Sequence, residues 1–214
     1  MKRLFVVACS ATVLAACGGG GSGPSLGVTG PPSAQSVAQS SSDYPSLQKC
    51  SESGSYESYL KAEQTKSPDQ YQTDKKTWDD LKTAGADDSY IVVYASNTAD
   101  CGQFAAGTPA GKVAYVYAIR FKDTASAAAS YKVTAKDFHI SDSDVASLKA
   151  AGGTVQLGSA TGLGDNSTVL SLDVAGLAVY IAFWENKRFE VAMVTFNDAA
   201  DAPGAVTKIN GRIH

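Results

Sequence analysis

Nucleophilic catalysis would need a histidine beside a serine or a cysteine, and the chain has only two histidines, His139 and His214. A chain-end residue such as His214 is poorly held, so His139 would have to act as the base. It lies between Phe138 and Ile140, just before Ser141, which is the expected N-cap of a helix. No GxSxG nucleophile elbow is present. We therefore predict a linker role for His139, a capping role for Ser141 and no catalytic residue.

Acidic and glycine-rich stretches could instead bind a cation or a phosphate. Asp87-Asp88 and the Asp142/Asp144 pair lack the alternating ligands and the central glycine of a calcium loop, so a turn and a helix start explain them. The stretch 162–165 resembles part of a phosphate-binding loop, but no Lys-Ser/Thr follows it and the next residues have a strand pattern. The sequence predicts neither a metal nor a cofactor.

Two aromatic residues give the one positive indication of ligand binding. Tyr180 and Trp184 share one face of an expected strand and alternate there with Ala178 and Ala182. Large aromatics between alanines can line a groove for an apolar or sugar ligand. They can equally pack under a C-terminal helix, and the sequence leaves both possibilities open.

The N-terminal segment has the pattern of a secretory signal. Lys2 and Arg3 precede a run of thirteen uncharged, apolar or small residues, 4–16. This length suits a signal peptide and is shorter than the roughly 20 residues that a membrane-spanning helix needs. The run ends in Leu-Ala-Ala-Cys at 14–17, which resembles the lipobox of bacterial lipoproteins.

The lipobox resemblance implies that residues 1–16 are removed and that Cys17 becomes an acylated N-terminus. Burial of acyl chains stabilises membrane attachment by about 0.8 kcal/mol per methylene, so two or more chains anchor a protein stably. The resemblance therefore implies a protein on the extracytoplasmic side of the bacterial cell envelope, with the membrane as its partner. The alternative is an ordinary secretory signal cleaved nearby, with Cys17 merely adjacent.

Residues 18–42 contain no charge and no aromatic residue, and Gly, Ser, Pro and Gln dominate them. Such a segment cannot bury enough apolar surface to offset its conformational entropy, and as a coil it would span roughly 25–30 Å. We therefore divide the chain into the signal 1–16, the lipidated cysteine with a flexible tether at 17–43, and one globular domain at 44–214. The alternative is a packed element within the tether.

The lipobox resemblance also assigns two of the four cysteines, since Cys9 leaves with the signal and Cys17 takes the lipid. Cys50 and Cys101 remain, an even pair in a compartment that permits oxidation, and we predict a disulfide between them. A metal site or a redox pair is the alternative. The chain has no CxxC spacing and only two histidines, and both facts argue against this alternative.

Charge excludes one class of partner. The 214-residue chain has 18 basic and 21 acidic residues and a net charge of −3; removal of the signal takes away two basic residues and no acid, giving −5. A protein without a basic excess is not built to neutralise nucleic-acid phosphates or to bind anionic lipid through its surface. A charged fraction of 18% is also below the usual ~25%, which argues against a disordered chain.

Hydrophobic periodicity predicts an α+β domain with one antiparallel-rich sheet of about five strands covered by helices. Large residues alternate with small ones at 113–121, as in a central strand covered on both sides. Ser67 is the expected cap of a helix that begins at Pro68, and Ser141 with Asp144 forms a capping box. The predicted strands are 90–95, 113–121, 168–174, 177–184 and 189–196, and the predicted helices are 56–64, 67–84, 124–133, about 141–151 and 198–209.

The order of a strand, an Ala-rich helix and a late meander resembles the Mog1/PsbP-like domains of some bacterial lipoproteins. No diagnostic motif accompanies that order, so no residue role is carried over. Anchor, tether, disulfide and scarce catalytic residues together predict a non-catalytic module that binds an apolar or sugar ligand or an envelope protein. The alternatives are an envelope hydrolase with a carboxylate site and a structural envelope component.

Overall fold

The sheet that organises the fold has eight antiparallel strands in one layer. The computed structural model describes residues 31–40, 42–66, 68–103, 109–137, 140–174 and 176–214. The strands are β1 (Gln48–Lys49), β2 (Gly54–Ser55), β3 (Ala86–Ala95), β4 (Val113–Phe121), β5 (Thr154–Leu157), β6 (Ser167–Val174), β7 (Leu177–Asn186) and β8 (Phe189–Phe196). Their order across the sheet is β1-β3-β4-β8-β7-β6-β5, and β2 also pairs with β3.

Helices cover the sheet on both sides. They are α1 (Ala34–Ala38), α2 (Tyr56–Lys66), α3 (Pro68–Thr83), α4 (Thr98–Gln103), α5 (Thr124–Asp137), α6 (Asp142–Ala150) and α7 (Ala202–Gly211). We call the side packed against α1 and α7 face A, and the side packed against α2, α3, α4 and α5 face B. None of the helices in the described ranges is both long enough and apolar enough to cross a bilayer.

The alternation of side chains in β4 is confirmed. Ala114, Val116 and Ala118 are buried on face A, whereas larger residues such as Tyr115 and Phe121 are buried on face B. β4 pairs with β3 on one side and with β8 on the other, so it is internal to the sheet. Small residues on face A let α1 approach this strand closely.

The sheet has more strands than the predicted five. The five expected strands are present, and β1, β2 and β5 are additional. β1 and β2 have only two residues each, too few to show an alternation, and β5 is a largely exposed edge strand without an apolar face. β5 follows Gly153, where a Cβ would come within 2.9 Å of the Ser171 carbonyl oxygen and 3.0 Å of the Leu148 carbonyl oxygen. A glycine is therefore needed where the chain passes between α6 and β6.

Two helix starts follow their capping signals. In α6 the Ser141 hydroxyl accepts from the Asp144 N–H at 3.2 Å, and the Asp144 carboxylate accepts from the Ser141 N–H at 3.0 Å, which confirms the capping box. The Asp123 carboxylate accepts from the Ser126 N–H at 2.7 Å at the start of α5. Ser67, the expected cap of α3, lies outside the described residues.

Three helix predictions need correction. The sequence predicts Val145 and Leu148 as the buried side of α6, but both are only half-buried, since they lie over the sheet edge formed by β5. α7 begins at Ala202 rather than 198, next to Pro203, because proline favours the first helical turn. The sequence predicts a loop at 96–111, but this stretch contains α4, where the Asn97 side chain accepts hydrogen bonds from the Ala99 and Asp100 N–H groups.

The folded unit begins earlier than the predicted boundary at residue 44, and the alternative of a packed element inside the tether is correct for α1. Ala34, Val37 and Ala38 are fully buried on face A at helical spacing. The Ala34 N–H donates to the Asp88 carboxylate at the start of β3 at 2.7 Å. Small apolar side chains suffice here because α1 packs against a surface that is itself made of small residues. Residues 1–30, including Cys17, lie outside the described residues.

Candidate functional site

A groove of about 250 Å³ lies between α2 and α3, the two helices that pack on face B. Three lysines, Lys61, Lys75 and Lys82, line it together with two acids, Glu57 and Asp79, and Trp78 lies at its base. The groove therefore combines an aromatic surface with a cluster of charges in which cations are in excess.

Aromatic packing fixes the two helices that form the groove. The Tyr56 ring lies 5.4 Å from the Trp78 ring, centroid to centroid, and stacks on Tyr117 of β4 at the same distance. The Trp78 indole N–H donates to the Glu57 carboxylate at 3.0 Å, which joins α3 to α2. These contacts hold the groove walls at a fixed separation.

Both acids of the groove are already engaged. Asp79 pairs with Lys75 and, at 2.9 Å, with Lys82, and hydrogen bonds from Lys75 and then Lys82 lower its pKa. Glu57 accepts from Trp78. Lys61 is exposed and has no ion pair among the residues that the structure describes. Lys61 is thus the cation that is available to an anionic group entering the groove.

Of the two possibilities that the sequence leaves open for Tyr180 and Trp184, the structure has the packing under a C-terminal helix. Trp184 is 0% exposed, and its indole N–H donates to the Asn210 side chain of α7 at 3.1 Å. Tyr180 is also buried on face A. Apolar residues of α7, including Val206 and Ile209, cover this surface, as in the packing alternative.

The predicted disulfide is present. Cys50, next to β1, is bonded to Cys101 of α4 at an S–S distance of 2.03 Å, and both residues are buried. The Glu52 carboxylate lies close enough that it and the two sulfurs fall within 4.8 Å of one another. Sulfurs joined in a disulfide are not thiolates, so this trio does not provide the ligands of a zinc site.

A pair of carboxylates on face B bears on the hydrolase alternative. Glu185 of β7 and Glu190 of β8 are directly opposite each other in the sheet register. Glu190 is 1% exposed, and burial raises its pKa to about 7. A carboxyl closed from solvent is not presented to a substrate, so the pair does not form the open two-acid cleft that a glycosidase requires.

The remaining candidate motifs of the sequence are the acidic pair at 87–88, the glycine-rich stretch 162–165 and the two histidines. Asp87 accepts from the Arg120 guanidinium at 2.7 Å, and Asp88 accepts from the start of α1. Gly162 and Gly164 have φ of 75° and 109° and form a turn before β6, without the helix that a phosphate loop requires. His214 is exposed at the chain end, whereas His139 lies outside the described residues.

The chain matches no described protein family, no curated protein and no solved structure. The resemblances to bacterial lipoproteins and to Mog1/PsbP-like domains therefore stay predictions. The sequence does not predict the α2–α3 groove, because Lys75 and Asp79 at i, i+4 indicate an exposed ion pair and the spacing of Trp78 from Tyr71 and Leu81 indicates an apolar stripe. The signal that could have found it is the short connection between two helices that both carry lysines near aromatic residues.

Proposed function

We propose that this protein is a lipid-anchored, non-catalytic binding module of the bacterial cell envelope and that its α2–α3 groove binds an anionic ligand. The observation that carries the proposal is Lys61, an exposed lysine with no ion pair in the described part of the chain, in a groove whose acids are already engaged. A charge-assisted hydrogen bond to an anion is stronger than a neutral one, and half-buried Tyr71, which also lines the groove, adds aromatic contact.

Binding in the groove can be followed through the two tryptophans. We expect titration with citrate at constant ionic strength to shift the Trp78 indole N–H resonance and to leave Trp184, which is buried on the opposite face, unchanged. Lys61→Ala should weaken binding about tenfold, because a lost charge-assisted hydrogen bond is worth roughly 1.5 kcal/mol. The citrate dissociation constants of the native protein and of Lys61→Ala are each obtained from the shift of the Trp78 resonance.

Lys76→Ala is the matched control for Lys61→Ala. Its side chain is 74% exposed, it pairs with Asp80, and it does not line the groove, yet its replacement removes the same charge. Citrate affinity should change less than twofold in this variant, in keeping with a screened surface charge. Equal weakening by both replacements, or no saturable shift of Trp78, would contradict binding in the groove.

Anchoring is tested at the sequence motif. Native protein should carry acyl mass on Cys17 and fractionate with membranes, and Cys17→Ala should yield a soluble protein or an unprocessed precursor without that mass. Cys9→Ala, which removes the other cysteine of the same segment, should behave as the native protein. Native material with no acyl mass on its first residue would rule out the anchor.

A further inference from the structure

Glu190 is a buried acid whose carboxyl group is not satisfied by hydrogen bonds. Within the described part of the chain neither of its carboxylate oxygens has a hydrogen-bond partner, although the residue is 1% exposed. It lies on face B opposite Glu185 of β7 on one side and Ile119 of β4 on the other. A carboxylate in such a place is strongly disfavoured, whereas a neutral carboxyl group is tolerated.

Helix α5 is the element that closes Glu190 from solvent. The hydroxyl groups of Ser130 and Thr134 lie beside the carboxyl group, and the Tyr131 ring stacks on Phe183 of β7 with a centroid distance of 4.7 Å. Contacts of α5 with the sheet reach β4, β7 and β8. The helix therefore spans the three strands around Glu190.

Helix α5 packs against the sheet through few large side chains. Over 124–134, where the burial of its side chains is described, the buried residues are Ala127, Ser130 and Tyr131, of which only Tyr131 is large, and Val133 is largely exposed. Small side chains bury little apolar area, so separating this helix from the sheet requires less free energy than opening a strand of the core. Local opening of α5 is therefore a low-energy motion of this fold.

The groups that face Glu190 do not stabilise a negative charge there. From α5 they are Ser130, Thr134 and Tyr131, from β7 Glu185, and from β4 the Tyr117 hydroxyl, which is buried and has no hydrogen-bond partner among the described residues. None of these five is a cation. Burial first, and then the charge of Glu185, raise the pKa of Glu190 to about 7; the Ser130 and Thr134 hydroxyls, which lie near the carboxyl group without forming hydrogen bonds of good geometry, lower it in part.

We propose that α5 is a proton-controlled cover on face B, closed while Glu190 is protonated and released when Glu190 loses its proton. The charged carboxylate needs water, and lifting α5 is the local motion that admits it. Release also exposes the Phe183 ring, which α5 covers through Tyr131. The proposal for α5 does not depend on ligand binding in the α2–α3 groove or on the lipid anchor.

The direction of the pH effect follows from the two states. In the open state Glu190 has its ordinary pKa of 4.5, and in the closed state about 7, so the closed state binds the proton more tightly. Closure is therefore fully favoured below pH 4.5 and is weakened as the pH rises toward 7. Between pH 5.5 and 8.5 the fraction of open α5 should rise about thirtyfold.

Hydrogen exchange of backbone amides tests the cover in the full chain. After correction for intrinsic exchange, α5 amides should lose about thirtyfold protection between pH 5.5 and 8.5, while β4 amides keep theirs. Glu190→Gln should abolish the loss. Asp165→Asn, which replaces an exposed acid, should retain it. The proposal is overturned if native α5 protection is independent of pH, if β4 loses protection by the same factor, or if Glu190→Gln behaves as native.

A second measurement decides the question even where Glu190→Gln does not fold. The carboxyl carbon of Glu190 in the native chain should titrate near pH 7, and α5 exchange should follow its titration. A Glu190 midpoint at the ordinary value of a glutamate would overturn the proposal.

Discussion

Replacing Cys50 and Cys101 together with serine should lower the free energy of unfolding by about 4 kcal/mol, the largest single effect that we expect in this fold. The bond joins residues 51 positions apart, and in the chain-entropy model a cross-link stabilises by restricting the unfolded chain over such a loop. Urea unfolding should show the loss as a midpoint lower by about 2 M.

The disulfide prediction has two internal checks. Reduction of the native protein should shift the urea midpoint as far as the double serine replacement does, because both remove the same cross-link. Cys9→Ser should leave the midpoint in place. Free thiols at both positions in non-reducing mass analysis, or a double variant as stable as the native protein, would contradict the role of the bond.

Arg212→Ala should lower the free energy of unfolding by about 3 kcal/mol. The Arg212 guanidinium donates two hydrogen bonds of 2.8 Å to Asp43, whose side chain is 0% exposed, and two more, of 2.9 and 2.5 Å, to the Val37 carbonyl. Removal of the arginine leaves a buried carboxylate and a carbonyl without these donors. Because the Arg212 side chain is 24% exposed, we place the effect at the lower end of the range for buried pairs.

Lys208→Ala is the matched control for Arg212→Ala. Lys208 lies on α7 and also holds the N-terminal segment, through a 2.7 Å hydrogen bond to the Ser42 carbonyl, but it is exposed. Its loss should lower the free energy of unfolding by under about 1 kcal/mol. Thermal unfolding of both variants measures the difference. Equal losses would mean that burial of Asp43 does not set the effect.

Sequence reasoning succeeded where a pattern was long and had one structural meaning. The bounds of β4 and β8 follow from apolar runs of eight or nine residues with clear ends. The alternation in β4 further identified it as internal, since both of its faces carry apolar side chains. Short elements such as β1 and α1 carry too few residues for a period, so tertiary packing alone defines them.

The candidate sites were harder to predict because one pattern fits two environments. Tyr180 and Trp184 alternate with alanine whether a ligand or a helix covers them, and only the position of α7 decides between these environments. Glu190 did leave a signal in the sequence. It shares its strand face with Ala192, Val194 and Phe196, so an acid stands among side chains that belong to the core.

Packing of α1 against face A changes how far the domain can stand from a membrane. If Cys17 is the anchor, as proposed, at most residues 18–33 separate it from α1, and a coil of 16 residues would span about 20–24 Å instead of the 25–30 Å predicted for residues 18–42. α1 begins beside Asp88 at the first residues of β3, and α3 ends just before the same point. With such an anchor, a shorter tether would keep the domain closer to the bilayer than the length of the predicted tether implies.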